Sequence, residues 1–106
     1  MQNILSLTDL NQQLEAHEQV ALLLFNPEDE SSRSAFRQIS ESTYLSEKTP
    51  VFVADIHEVI DLQSHFQVSQ IPSLLFFVKG KLAEVVRGGE GSDLVKALNS
   101  HQLVQP

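Results

Sequence analysis

Apolar residues along the chain gather into continuous runs, and the stretches between them change to a helical period. Val20-Ala21-Leu22-Leu23-Leu24-Phe25, Pro50-Val51-Phe52-Val53-Ala54-Asp55-Ile56 and Ser73-Leu74-Leu75-Phe76-Phe77-Val78 have strand length and no polar alternation. Such runs belong to strands covered on both faces. A shorter stretch, Asn3-Ile4-Leu5, precedes them. Leu10 and Leu14 stand at i, i+4 behind Ser6 and Thr8, either of which can cap a helix ending near His17. Asn26-Pro27-Glu28-Asp29-Glu30 breaks the first long run, and Ser31 or Ser32 is placed to cap a helix carrying Phe36, Ile39 and Tyr44. Glu58 to Phe66 predicts a short helix. Lys79-Gly80 is a hairpin signal, so Lys81 to Val86 returns antiparallel. Gly88-Gly89-Glu90-Gly91 is a flexible corner before a last helix capped by Ser92 and carrying Leu94, Val95 and Leu98. The predicted order is β-α-β-α-β-α-β-β-α, an α/β domain with a mixed sheet and helices on both faces. One domain is expected over 1–106, with a loose tail after about 101.

Composition narrows the chemistry. The 106 residues include no cysteine, which excludes a disulfide, a thiolate metal site and a cysteine nucleophile. Fourteen acidic against seven basic side chains give a formal charge of −7. Such a surface repels nucleic acid and anionic lipid, so a basic or neutral protein partner is expected, although charge of this size also serves solubility alone. Met1-Gln2-Asn3-Ile4-Leu5 has no basic start and no apolar run of signal-peptide length, and a cytoplasmic location is expected. No cofactor motif is present: Gly88-Gly89-Glu90-Gly91 fits neither the dinucleotide nor the P-loop pattern.

The element order, with several local features, resembles thioredoxin. Leu24-Phe25 resembles the end of the strand before that family's redox loop, and Val53-Ala54-Asp55-Ile56 its central strand. Ile71-Pro72-Ser73 resembles the family's Ile-Pro-Thr stretch, whose proline is cis. Lys79-Gly80-Lys81 resembles the hairpin turn, and Gly88 the glycine before the final helix. The likeness runs from about Asn3 to Ser100. The departures fall on the redox site. The two cysteine positions become Glu30 and Arg33 by strict spacing, or Ser31 and Ser34 with a one-residue insertion. The family's buried acid is Leu24 and its central-strand lysine is Val53. Those groups serve proton transfer around a reactive thiol, so their joint absence is coherent with the missing sulfur.

The resemblance implies a peptide-binding groove that needs no thiol. In the family, the residue before the cis proline pairs main chain to main chain with an extended substrate, a form of β-augmentation. Here that residue is Ile71, beside Pro72 and Ser73. The walls are expected from Glu30, Ser31, Ser32 and Arg33 and from Gly88 and Gly89. Glu28-Asp29-Glu30 either compensates a helix dipole, the simpler reading, or forms a negative rim that selects basic peptides. His57, Asp61 and His65 invite a metal reading, but eight helical residues rise about 12 Å, too far for one ion to reach all three. The first expectation is therefore a redox-inactive, non-enzymatic accessory or scaffold protein that holds a protein or peptide partner. A holdase-type chaperone is the alternative. An oxidoreductase with Ser31 and Ser34 in place of cysteines is disfavoured by Leu24 and Val53.

Overall fold

The computed structural model describes residues 2–41, 49–87, 94, 96 and 97. The order is β1 (Gln2–Asn3), α1 (Leu7–Ala16), β2 (Gln19–Phe25), α2 (Glu30–Ser40), β3 (Val51–Asp55), α3 (Asp61–Phe66), β4 (Ser73–Val78) and β5 (Lys81–Arg87), with Leu94, Lys96 and Ala97 also helical. Tyr44, Gly88 to Gly91, the Ser92 cap, Val95, Leu98 and the tail lie outside the described residues.

The sheet order is β1-β3-β2-β4-β5. β1 and β2 run parallel to β3, while β4 pairs antiparallel with both β2 and β5. The three long apolar runs are thus the three central strands, and their alternation sorts them between two cores. Val20, Leu22, Leu24, Phe52, Ala54, Leu75 and Phe77 pack with Leu10, Leu62 and Val68 from the side of α1 and α3. Ala21, Leu23, Val51, Val53, Leu74 and Phe76 pack with Ala35 and Ile39 of α2 and with Leu94. Each central strand is buried on both faces, which is why none of them needs polar alternation.

Helix α1 follows the sequence reading. Ser6 caps it by accepting the Asp9 N–H at 3.0 Å, and Asp9 answers by accepting the Leu5 N–H at 3.0 Å. Two boundaries differ from expectation. The cap of α2 is Asp29, not Ser31 or Ser32: its carboxylate accepts the Ser32 N–H at 3.0 Å. Asn26 to Asp29 forms a turn with Pro27 at its second position, closed by the Asp29 N–H on the Asn26 carbonyl. That turn delivers an ionised acceptor to the helix start, where it outcompetes a serine hydroxyl. Helix α3 begins at Asp61 rather than Glu58. Asp55 explains the delay, because its carbonyl accepts both the Glu58 and Val59 N–H groups and its side chain accepts that of His57. These bonds hold 56–60 as turns, and Ile60 is left 76% exposed.

The Ile71–Pro72 peptide bond is cis, as the resemblance implied. Lys79 and Gly80 take positive φ values of 52° and 81°, the pair of left-handed residues that a tight hairpin demands.

Candidate functional site

The strand register assembles the candidate site at one end of the sheet. Leu24 at the end of β2 faces Ser73 at the start of β4, and Phe25 faces Asp55 at the end of β3. The Asn26–Asp29 turn then starts α2 at this same end, and the Phe25 ring lies 5.2 Å from that of Phe36. Glu30 and Ser31, at the head of α2, and the Ile71-Pro72-Ser73 segment therefore lie at the same end of the sheet.

The side chains within it divide sharply. Glu30, Ser31 and Arg33 are exposed, and Ile71 is half-buried. Pro72 is buried, as is Ser73, whose hydroxyl donates to the Gln70 carbonyl. Ser32 turns inward on the face that carries Ala35 and Ile39, so its hydroxyl is not offered to a groove. Ser34 is half-buried, its hydroxyl accepting from the Gln38 amide at 3.1 Å. Arg33 folds its guanidinium back onto the Pro27 carbonyl at 3.1 Å. Gly88 and Gly89 lie outside the described residues.

Ile71 closes a stretch of open main chain. Among the described residues neither its N–H nor its carbonyl has a hydrogen-bond partner, nor do the N–H groups of Ser69 and Gln70, although Ser73 enters the β4 ladder. Open main-chain groups on a half-buried residue bond either to water or to another chain.

Where the resemblance places an acid and a lysine, the structure has apolar core. Leu24 and Val53 are 0% and 1% exposed, and they lie on opposite faces of the sheet. The β3 residue that shares a face with Leu24 is Ala54. No proton-handling group sits behind α2 at any of these positions.

One cluster went unread in the sequence. Asn26, Glu28 and His57 meet beside the turn that starts α2. The Asn26 side-chain oxygen accepts the Glu28 N–H at 2.9 Å, and His57 Nε2 lies 3.0 Å from that oxygen. Because the oxygen already accepts one N–H, its orientation is fixed and Nε2 is the donor. The Glu28 carboxylate is 3.8 Å away from the same nitrogen. His57 therefore ties the end of β3 to the turn after β2 and takes no helical partner in Asp61 or His65. His57 lies ahead of α3, which holds Asp61 and His65, so the three do not share one helix. Among the described residues no group of three metal-ligating side chains occurs. Asn26 and His57 are 31 positions apart, and only the register of Phe25 on Asp55 brings them together.

Among the described residues the buried Ser32 hydroxyl has no hydrogen-bond partner. A polar atom left unpaired in a core is costly, so Ser32→Ala is expected to raise unfolding free energy by about 1 kcal/mol. Urea denaturation followed by circular dichroism measures this. A loss of similar size would place the hydroxyl in a bond that the geometry does not contain.

No family model matches the sequence, and no curated protein matches it. Solved structures do. A thioredoxin from Fasciola hepatica superposes with a TM-score of 0.84 at 14% identity, covering 95% of this chain and 99% of that one. The oxidised thioredoxin of Plasmodium falciparum gives 0.84 at 14%, covering 96% and 98%. The thioredoxin of Malassezia sympodialis gives 0.80 at 20%, covering 95% and 92%. At these identities the likeness shows the fold. The chain has the thioredoxin fold, with a mixed five-stranded sheet, and it lacks the Cys-x-x-Cys motif.

Proposed function

We propose that this chain is a redox-inactive, non-enzymatic thioredoxin-fold protein that binds an extended segment of a protein partner between the head of α2 and Ile71-Pro72-Ser73. The observation that carries the proposal is the open main-chain donor and acceptor of Ile71, at the sheet end where Glu30 and Ser31 are exposed. An added strand would take those hydrogen bonds and would need no chemistry from its host.

Charge supports a basic partner. Of the acidic triplet, Asp29 is engaged as the cap of α2, which leaves Glu28 and Glu30 as exposed carboxylates. The nearby cation, Arg33, is turned onto the Pro27 carbonyl. The rim is thus net negative where a partner would enter, and rim charges act mainly on association. The experiment uses a peptide selected from a displayed random library against the intact chain. Glu28→Gln with Glu30→Gln is expected to lower its on-rate several-fold at low ionic strength, with a smaller change in off-rate. The difference should vanish in about 1 M salt, where the Debye length falls to about 3 Å. Surface plasmon resonance reads both rates, and equal on-rates at low salt would remove the charge from the account.

A further inference from the structure

A second concave site lies at the opposite end of the molecule. β4 runs from Ser73 beside the groove to Val78 beside the hairpin, a strand path of about 17 Å. There the last turn of α1 and the β4–β5 hairpin shape an open concave surface of about 670 Å³, whose lining includes Leu14, Glu15, His17, Glu18, Lys79 and Gly80, none of them fully buried. The main chain braces its two walls, since the Lys79 N–H donates to the Glu18 carbonyl at 2.7 Å.

The walls carry opposite charge without neutralising each other. On the α1 side stand the Glu15 and Glu18 carboxylates. This is also the negative end of the helix dipole; no basic side chain lies in that last turn, and the His17 ring follows it in the lining. On the hairpin side stands Lys79. Among the described residues no ion pair joins Lys79 to Glu15 or Glu18. Next to Lys79, Gly80 has nothing within 4 Å of the place a Cβ would take, so its backbone is open to approach. Leu14 and Ala16 add an apolar patch.

We infer that this concave surface binds a free zwitterionic α-amino acid. The ammonium sits against Glu15, Glu18 and the end of α1, the carboxylate against Lys79 and Gly80, and an apolar side chain on Leu14 and Ala16. A ligand with both charges bridges the two walls, whereas one with a single charge satisfies one wall and meets repulsion or nothing at the other.

The test is a heteronuclear NMR titration of the full ¹⁵N-labelled chain with L-leucine, beside isopentylamine and 4-methylpentanoate, which carry only the ammonium or only the carboxylate. Leucine is expected to give saturable shifts at residues 14–18, 79 and 80, with affinity at least about tenfold above either half-ligand. Lys79→Gln, and separately Glu15→Gln with Glu18→Gln, should each weaken leucine binding about tenfold, or about 1.4 kcal/mol. These side chains are exposed and the bond between Lys79 and Glu18 is main-chain, so the variants retain the fold, as their unperturbed spectra elsewhere will show. No saturable shift at these residues, leucine binding no tighter than its halves, or binding indifferent to both variants would overturn the inference.

Discussion

Leu22→Ala is expected to cost about 3 kcal/mol of unfolding free energy, a large part of the total for a domain of this size. Leu22 lies in the middle strand of the sheet, in register with Phe52 on one side and Leu75 on the other, and is fully buried. All three belong to the core beneath α1 and α3. Truncation removes transfer free energy and leaves a cavity that two laddered neighbours cannot collapse to fill. The melting temperature should fall by roughly 10–20 °C. Leu5→Ala is the control: Leu5 is 63% exposed, and its loss should stay within about 0.5 kcal/mol. A Leu22→Ala effect below about 1 kcal/mol would contradict the packing described.

The central strands were readable because burial on both faces leaves a direct mark: continuous apolar runs at 20–25, 51–54 and 74–77. The hairpin was readable because a lysine–glycine pair matches the two positive φ angles. What escaped depended on competition between caps or on distance along the chain. Ser31 and Ser32 are good capping residues, yet Asp29 wins because the Asn26-Pro27 turn presents it first. Helix α3 starts late because the Asp55 carbonyl and side chain capture the N–H groups that a helix from Glu58 would have used. Within the candidate site, the positions of Ile71, Glu30 and Ser31 follow from the strand order. The inward turn of Ser32 and the link from His57 to Asn26 follow from helix phase and strand register, which the residue types do not encode.

Replacing the Ile71 amide with an ester is expected to weaken a bound peptide about tenfold. The change, introduced with the α-hydroxy analogue of isoleucine, keeps the side chain, deletes one N–H and makes the Gln70 carbonyl, which accepts the Ser73 hydroxyl, a weaker acceptor. Among the described residues that N–H has no partner in the free chain, so stability should fall by no more than about 1 kcal/mol. In the complex the loss leaves the peptide's carbonyl without a donor at a half-buried position, a penalty of about 1–3 kcal/mol. The same substitution at Lys81, at the far end of the sheet, should leave peptide affinity unchanged. Calorimetric titration of both esters with the library-selected peptide separates a specific main-chain contact from a general effect of the modification. Equal affinity of the Ile71 ester and the unmodified chain would exclude pairing through that amide.

The central claim is that a thioredoxin fold without its thiols holds an extended segment at the sheet end it shares with the head of α2. Amide shift mapping with the selected peptide tests it most directly. The account predicts the largest shifts at Ile71, Ser73, Glu30 and Ser31, together with a new hydrogen-exchange protection of the Ile71 amide. Shifts confined to the outer residues of α3, such as Asp61, Ser64 and His65, with the Ile71 amide still exchanging freely, would contradict it.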